Sequence, residues 1–296
     1  MIKFLFSRMS EPDAGPSWNS DGTPWVGSQP ENLQEPIWRA QYDWHCGRPD
    51  KPSWDAAASA TGDVASLAEQ LQSNVESEAV RAAYSLGCGD GGAEATAALM
   101  EALSVLPEEI SEELPAELAH KFYESDPVCQ AGYGLVEQGA DAVPALLEAV
   151  ASDEPVLRSR AIDVLGDMGP EAAAAIPALL DAFDDFEMDP RRRAVEAIGT
   201  VGCGSADQAE LCAALVPMMR DPHEQVRRNA AYSLQRLGPA IESGTELEAA
   251  AVDVLSAGLT DSNGYVRGFS AHALERIGTP ASLGAALKHL QVMRFD

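Results

Sequence analysis

The chain has 296 residues, of which 46% are hydrophobic but only 6% aromatic, and its formal net charge is −27. A surface this acidic repels phosphate, so nucleic acid and anionic membranes are excluded as expected partners. The sequence has no run of about 18 apolar residues, which argues against a membrane-spanning helix. Alanine and leucine supply much of the apolar content, which favours helices over strands.

The first 57 residues differ in composition from the rest. They hold seven of the 19 prolines and all five tryptophans: Trp18, Trp25, Trp38, Trp44 and Trp54. Prolines this dense exclude long helices and central strands, so one helix, through EPIWRAQYDWHCG, is predicted. The segment is too short to build its own core. We therefore predict that residues 1–57 form an irregular segment that caps the first helices of the following region, with Trp38 and Trp44 docked.

Residues 58–296 are self-similar. Two degenerate copies, at 77–87 and 126–139, precede four clear ones in which an arginine stands seven residues before a leucine or isoleucine. The clear copies are EPVLRSRAIDVLGDMG (154–169), DPRRRAVEAIGTVG (189–202), EQVRRNAAYSLQRLG (224–238) and GYVRGFSAHALERIG (264–278). About six repeated units are therefore predicted.

Each unit is predicted to form two helices. In the fifth unit, Val226, Ala230, Leu234 and Leu237 recur at three- and four-residue steps and form one apolar face. After a loop, a second helix is marked by Leu247, Ala251, Leu255 and Leu259. A single helix pair cannot bury its apolar face alone, whereas stacked pairs can, so the sequence predicts an all-α solenoid over residues 58–296.

The units resemble HEAT-like repeats of the short kind also found in phycobilisome lyase subunits. The pattern is Asp-Pro, Val-Arg and Ala-Ala-x-x-Leu-Gly, best preserved in 221–238, and the resemblance covers about residues 60–293. It implies a right-handed α-solenoid of about six helical hairpins that presents binding surfaces. It also implies an internal ladder of acidic residues and arginines along the stack, formed by Asp221, Arg227, Asp261, Arg267, Arg158 and Arg191.

The pair His223–Glu224 looks like the start of a metal site. The deoxyhypusine hydroxylases, a similar helical-repeat family, hold two irons with His-Glu pairs that recur in several repeats. In this chain the equivalent positions are Glu154–Pro155, Glu187–Met188 and Asn263–Gly264. One pair cannot complete an iron or zinc shell. We therefore predict no metal and no cofactor, and we interpret Glu224 as a first-turn residue favoured by the helix dipole.

No catalytic set is predicted. The stretch GCGDGGAEAT (87–96) places glycines before a helix, as phosphate-binding loops do, but it lacks the GKS/T ending and a preceding strand. We interpret it as a loop that ends a helix. The five cysteines, Cys46, Cys88, Cys129, Cys203 and Cys212, show no CxxC spacing. They predict free, mostly buried thiols in a reducing compartment, and hence a cytoplasmic protein.

The N-terminal segment carries a second resemblance. KFLFSRMSEPDAGPSWNSDGTPW and IWRAQYDWHCGR resemble the tail that follows the dioxygenase core in some phytanoyl-CoA dioxygenase-like proteins, over about 50 residues. The iron site of that family needs a His-x-Asp pair, which this chain lacks. The resemblance therefore implies a C-terminal piece or relic without the iron site.

The charge is unevenly distributed along the repeats. Residues 58–157 hold 19 acidic residues against Arg81 and Lys121, a net charge of −17, whereas residues 158–296 hold 20 acidic and 13 basic residues, a net charge of −7. A field concentrated on one part of the surface steers a basic partner. The leading hypothesis is a non-catalytic scaffold that binds a protein partner, possibly a basic one. The alternatives are the dioxygenase-like piece and a bilin-lyase-type subunit that works with a partner chain.

Overall fold

The computed structural model describes residues 62–73, 76–89, 91–105 and 127–292. Every regular element within these residues is a helix, which confirms the predicted all-α class. None of the described helices is long and apolar enough to cross a membrane. The segment 1–57, with Trp38 and Trp44, lies outside the described residues.

The described residues form two compact units, 62–168 and 169–292. The helices of the first unit are α1 (Val64–Leu71), α2 (Glu76–Cys88), α3 (Gly92–Ser104), α4 (Pro127–Gln138), α5 (Val143–Val150) and α6 (Pro155–Met168). Helices α2 and α3 form a helical hairpin, α4 and α5 form another, and α4 packs on both α2 and α3.

The second unit is built from longer, more regular hairpins. It begins with a 3₁₀ turn, Gly169–Ala175, and shorter 3₁₀ turns follow at Ala182–Asp184 and Gly238–Ala240. Its helices are α7 (Ile176–Asp181), α8 (Met188–Val201), α9 (Gln208–Met218), α10 (Glu224–Leu237), α11 (Glu246–Gly258), α12 (Gly264–Ile277) and α13 (Pro280–Val292). Helices α8, α10 and α12 pack side by side in one layer, while α9, α11 and α13 form a second layer.

Each of the six predicted repeats coincides with the first helix of a helical pair. We call α2, α4, α6, α8, α10 and α12 the first helices, and α3, α5, α7, α9, α11 and α13 the second helices. Within each of the two compact units, the packing of neighbouring first helices agrees with the predicted all-α solenoid.

The first helices bury the same positions in every clear repeat. Residues three, four, seven and ten places after the repeat arginine (Arg158, Arg191, Arg227 or Arg267) are all buried, and Leu234 at the seventh place is 0% exposed. In α10 these positions are Ala230, Ala231, Leu234 and Leu237. The burial of Leu234 confirms the apolar face predicted from the spacing.

The glycines that follow the first helices serve two different purposes. Gly139, Gly169 and Gly278 have φ of +59°, +60° and +71°, a left-handed conformation that ends a helix at little cost for glycine. Gly202 and Gly238 keep helical backbone angles. There the missing side chain makes room instead, since a Cβ on Gly238 would lie 2.9 Å from Cγ1 of Ile277.

Neighbouring first helices approach closely where two small residues meet. A Cβ on Gly87 of α2 would lie 2.6 Å from the main-chain oxygen of Gly134 in α4. In the second unit, Gly199 of α8 lies against Ser233 of α10, whose Oγ donates a hydrogen bond to the Val195 oxygen at 2.7 Å. Both contacts use the same repeat positions, so close packing of this kind sets how first helices stack.

Candidate functional site

The repeat arginines close the loops that precede their own helices. In each clear repeat, Nη1 of the arginine donates hydrogen bonds to two successive main-chain oxygens at 2.6–3.4 Å. The pairs of accepting residues are Ser152 and Asp153 for Arg158, Asp185 and Phe186 for Arg191, Asp221 and Pro222 for Arg227, and Asp261 and Ser262 for Arg267. Each arginine therefore fixes the entry of the chain into a first helix.

Two of these arginines also reach an aspartate of the following repeat. Nε of Arg191 donates to Oδ2 of Asp221 at 3.0 Å. Nε and Nη2 of Arg227 donate to Oδ2 and Oδ1 of Asp261 at 2.8 and 3.1 Å, so this pair is bidentate. In both pairs the side chains are largely buried, with 8–17% of their surface exposed. The result is a run of linked loops from Arg191 to Arg267 within residues 169–292.

The predicted ladder residues of this unit are therefore close together, but the partners alternate. Asp221 accepts from Arg227 through its main-chain oxygen, whereas its carboxylate binds Arg191. Arg158 lies in the other unit, where it binds its own loop. Burial raises the pKa of Asp261, but hydrogen bonds from Arg227 and from the Asn263 main chain outweigh it and leave that pKa below its usual value.

The pair His223–Glu224 lies where the loop bound by Arg227 enters α10. The main-chain N–H of His223 donates to Oδ1 of Asp221 at 2.8 Å, and the residue caps α10 with extended backbone angles. Both side chains are exposed, and Glu224 lies in the first turn of α10. Among the described residues, no group of three or more His, Cys, Asp and Glu side chains is placed to hold a metal ion.

The loop at 87–96 joins two helices. Gly87 belongs to the last turn of α2, Gly91 caps α3, and Gly92 has a φ of +50° at the start of α3. A thiol of this hairpin, Cys88, is exposed, whereas Cys203 is half-buried and Cys212 buried. Among the described thiols, the prediction of mostly buried cysteines thus holds for Cys212 alone. Burial raises the pKa of Cys212 to about 12, so its thiol stays protonated at neutral pH.

A second set of positions on the first helices varies from repeat to repeat. These are the residues one, two, five and nine places after the repeat arginine, and we call them the variable row. In residues 169–292 they are Arg192, Arg193, Glu196 and Thr200 on α8, Arg228, Asn229, Tyr232 and Arg236 on α10, and Gly268, Phe269, His272 and Arg276 on α12. The positions three, four, seven and ten places after the repeat arginine are small or aliphatic in each copy, so the differences between repeats are concentrated in the variable row, although Arg192, Arg228, Asn229 and Tyr232 of that row are themselves buried.

Hydrogen bonds to a neighbouring first helix hold several side chains of the variable row. Asn229 donates to the main-chain oxygen of Arg192 and to the carboxylate of Glu196, both at 2.9 Å. Arg228 in turn donates through Nε to Oδ1 of Asn229 at 2.9 Å. On α8, Asp189 forms ion pairs with both Arg192 and Arg193. These side chains are therefore held in place by partners within the chain, and Arg192, Arg228 and Asn229 are buried.

Two arginines of the variable row bind the end of the preceding first helix. Nε of Arg236 donates to the Gly199 oxygen at 2.8 Å, and Nε of Arg276 points to the Gln235 oxygen at 3.4 Å. Arg236 also donates to the hydroxyl of Tyr232 and to Sγ of Cys203. Within the described part of the chain neither arginine forms an ion pair, since all of these acceptors are neutral. Both guanidinium charges therefore remain to attract an anion.

Aromatic rings lie beside Arg236. The rings of Tyr232 and Phe269 meet edge to face, with centroids 5.4 Å apart and planes inclined by 65°. The guanidinium of Arg236 lies 5.8 Å from the centroid of the Tyr232 ring. Arginine and tyrosine are residue types that dominate the binding energy of protein interfaces.

The basic residues of this unit are concentrated on the first helices. Helices α8, α10 and α12 hold eight arginines and four acidic residues, a net charge of +4. The remainder of 169–292 holds two basic and 13 acidic residues, a net charge of −11. Hence this layer of helices is cationic although the chain as a whole is strongly acidic.

The sequence analysis did not identify the variable row, although it considered some of these positions as possible metal ligands. Arg192–Arg193, Arg228–Asn229 and Gly268–Phe269 directly follow the repeat arginines, but a search for His-Glu pairs passes over them. A usable signal is present in the aligned repeats, because these are the places where large polar and aromatic residues replace one another while the apolar positions persist.

Comparison with known proteins gives the family. The model of HEAT repeats matches residues 129–199, 176–251 and 215–292, which together span 129–292, more than half of the chain. The chain therefore belongs to the HEAT-repeat family, which confirms the HEAT-like resemblance. No curated protein matches the chain.

Solved structures show the same fold. A structure of Kap95p, whose binding is described as inducing the switch loops of RanGDP to adopt the GTP-bound conformation, is 13% identical with a TM-score of 0.53. That match covers 83% of this chain but only 33% of the other.

Two further similarities have lower TM-scores. The complex of CpcE and CpcF of phycocyanin lyase from Nostoc sp. PCC7120 is 20% identical over 79% of this chain and 89% of that chain, with a TM-score of 0.41. Human deoxyhypusine hydroxylase in complex with glycerol is 21% identical over 77% and 93%, with a TM-score of 0.29.

Proposed function

We propose that the chain is a non-catalytic protein-binding scaffold whose contact surface in residues 169–292 is the variable row of α8, α10 and α12. The observation that supports this most is that each of these helices has two sets of positions with different roles. One set of positions is buried and nearly constant, and the ladder fixes the helix entries, while the other set is only partly buried and carries mostly large side chains that differ from repeat to repeat. Solenoids bind partners over such extended surfaces.

The chemistry of the variable row supports the same proposal. Its arginines and aromatic rings are the types enriched at the centres of protein interfaces. Arg236 and Asn229 already donate to main-chain oxygens of the preceding first helix, so less side-chain entropy is lost on binding. An enzyme would need converging nucleophilic or acid–base groups, and no such convergence supports a reaction at this surface.

Three further expectations from the sequence remain proposals: a basic partner, the two alternative functions and the cellular location. The net charge of −17 on residues 58–157 supports a basic partner for that region, distinct from the cationic row of 169–292. The dioxygenase-like piece and the bilin-lyase-type subunit are alternatives that no described residue favours. A cytoplasmic location is likewise an expectation from the cysteine pattern.

The proposal is tested by capture of partners from the source lysate on the immobilised chain, comparing two arginine variants. Arg276→Gln combined with His272→Ala changes the variable row on α12. Arg220→Gln is the matched control, because Arg220 pairs with Asp253 at an exposed site outside the row, with 65% and 74% of the side chains exposed. We expect the row variant to retain at least tenfold less partner, a loss of about 1.4 kcal/mol, and the control to retain wild-type amounts. Equal retention by both variants would refute the proposed surface.

A further inference from the structure

One aromatic side chain of residues 169–292 is almost fully exposed to solvent. Phe186, in the loop before α8, is 94% exposed, whereas Phe183, three residues earlier, is buried in the 3₁₀ turn Ala182–Asp184. The equivalent place, five residues before the repeat arginine, is held in the other clear repeats by Asp153, Pro222 and Ser262. The fold therefore does not require an aromatic ring at this place, and the ring of Phe186 is open to a ligand.

Hydrogen bonds hold the main chain on both sides of Phe186. Nη1 of Arg191 donates to the main-chain oxygens of Asp185 and Phe186 at 2.6 and 3.4 Å. The main-chain N–H of Glu187 donates to Oδ1 of Asp185 at 2.9 Å, and the N–H of Asp185 donates to the Ala182 oxygen at 3.2 Å. Because the loop is already fixed, little conformational entropy is lost when a partner covers the ring.

The exposed ring has a strongly negative surrounding. Asp181, Asp184 and Glu187 are exposed, and none of the three forms an ion pair within the described part of the chain. Residues 181–190 contain no lysine or arginine. A single exposed apolar residue needs no explanation by itself. Here, however, the field of the neighbouring carboxylates selects a cationic ligand for the same place.

The ladder joins a second loop to this surface. Nε of Arg191 donates to Oδ2 of Asp221 at 3.0 Å, so one arginine binds both the loop of Phe186 and the loop that enters α10. Pro222 and Glu224 of that second loop are exposed as well. Two loops in a fixed relation thus present apolar rings together with carboxylates, and a ligand that spans both can contact more than one acidic residue.

We propose that these two loops bind an arginine-rich segment of a protein partner, with one guanidinium stacked on Phe186 and others paired with the exposed carboxylates. A guanidinium is planar, so it stacks on an aromatic face and binds a carboxylate through two parallel hydrogen bonds, whereas an ammonium is a compact point charge. The variable row is cationic and repels such a segment. Residues 169–292 therefore carry two binding surfaces that select ligands of opposite charge, and this one goes beyond the proposed function.

Fluorescence anisotropy of the purified full-length chain with two labelled octapeptides tests the proposal, one of alternating arginine and glycine and one of alternating lysine and glycine. Both peptides are attracted by the net charge of −27, so the first variants leave the charge unchanged. Phe186→Ser removes the ring, and Phe186→Leu keeps an apolar side chain without an aromatic face. We expect each to weaken binding of the arginine peptide about three- to fivefold and to change binding of the lysine peptide less than twofold. Circular dichroism verifies the fold.

A pair of charge variants tests the place of binding. Asp184→Asn combined with Glu187→Gln removes two charges beside Phe186, and Glu187 makes no side-chain capping bond to α8 that would be lost. Glu242→Gln combined with Glu246→Gln removes two exposed charges near the start of α11 and is the matched control. We expect the first pair to weaken binding of the arginine peptide at least threefold and the control to change it less than twofold.

Two results would overturn the inference about Phe186. One is an affinity for the arginine peptide that Phe186→Ser or Phe186→Leu leaves unchanged, and the other is an equal effect of the two double charge variants. None of these substitutions changes the variable row, so their failure leaves the scaffold proposal intact, whereas loss of that proposal leaves the binding of the peptides unchanged.

Discussion

Within residues 62–168 and within residues 169–292, neighbouring first helices pack through the same kind of contact between small residues. The two regions differ in the arginine–aspartate pairs that link successive loops. Gly87 meets Gly134 in the first region, and Gly199 meets Ser233 at the equivalent positions in the second. In the second region the Arg191–Asp221 and Arg227–Asp261 pairs join successive loops.

The earlier helices α2 and α4 lack the arginine that such a ladder needs. The positions equivalent to the repeat arginine are Ala79 and Val128 there. Close contact between small residues is therefore sufficient to stack these helices. The ladder is an additional device that fixes the loops between successive repeats.

The largest expected effect tests what the two regions share. Leu135 and Leu234 occupy the same repeat position, and both are 0% exposed. Leu135→Ala and Leu234→Ala should each lower the free energy of unfolding by about 2–5 kcal/mol, because each leaves a cavity between stacked helices. Chemical denaturation followed by circular dichroism measures this. A loss well under about 1 kcal/mol at either site would show that the repeat register is wrong for that region.

The ladder should contribute less, and in a pH-dependent way. Asp261→Asn leaves the largely buried Arg227 without its carboxylate and should cost about 1–3 kcal/mol at pH 7. Asp253→Asn, which breaks the exposed pair with Arg220, is the control and should cost about 0–0.5 kcal/mol. Equal losses for the two aspartate variants would mean that the ladder adds nothing to a surface ion pair.

The pH dependence follows from the lowered pKa of Asp261 in the folded chain. The stabilisation is fully present above the pKa of an unfolded aspartate, about 3.9, and is lost as the pH falls further through the folded pKa. The difference in unfolding free energy between wild type and Asp261→Asn should therefore be constant from neutral pH to about 4 and should shrink below it. Denaturation curves at a series of pH values give this difference, and a difference that grows on acidification would contradict the sign of the shift.

The close contacts should be sensitive to a single methyl group. Gly87→Ala and Gly199→Ala raise helix propensity by up to about 1 kcal/mol, yet both should destabilise the chain by about 1–3 kcal/mol in net terms. Gly87 should be the more sensitive of the two, because its Cβ would meet the main chain of Gly134, which has no side chain to move. Thermal and chemical denaturation report the loss, and unchanged stability in both variants would show that the helices are not in contact there.

The smallest effect has the opposite sign and serves as the control for the glycine variants. Gly268 lies within α12, and a Cβ there would meet nothing within 4 Å. Gly268→Ala should therefore stabilise the chain by about 0.5–1 kcal/mol, the gain in helix propensity alone. A loss of stability in the same denaturation assay would mean that the site is filled and not open.

The fold was predictable because its causes are local. The steps that join Val226, Ala230 and Leu234 fix one face of a helix, and the recurrence of that pattern implies stacking. The glycines were only partly predictable, since Gly278 and Gly238 end equivalent helices but differ in backbone conformation. Which role a glycine has depends on a neighbour such as Ile277, which is distant in sequence.

The candidate site was less predictable for the same reason. The carboxylate bound by Arg227 comes from Asp261, 34 residues later, so the spacing within one repeat points instead to Asp221. Tyr232 and Phe269 meet only because α10 and α12 pack side by side. A binding surface assembled from several repeats has no motif within any one of them.

The central claim is that each first helix has separate structural and recognition positions. The direct test measures unfolding free energy and partner retention on two arginine variants, Arg227→Gln in the ladder and Arg276→Gln in the variable row. We predict that Arg227→Gln lowers the unfolding free energy by about 1–3 kcal/mol and retains the partner under conditions where it is folded, whereas Arg276→Gln keeps wild-type stability and loses most of the partner. If both variants changed both quantities alike, or if their effects were exchanged, the claim would be contradicted.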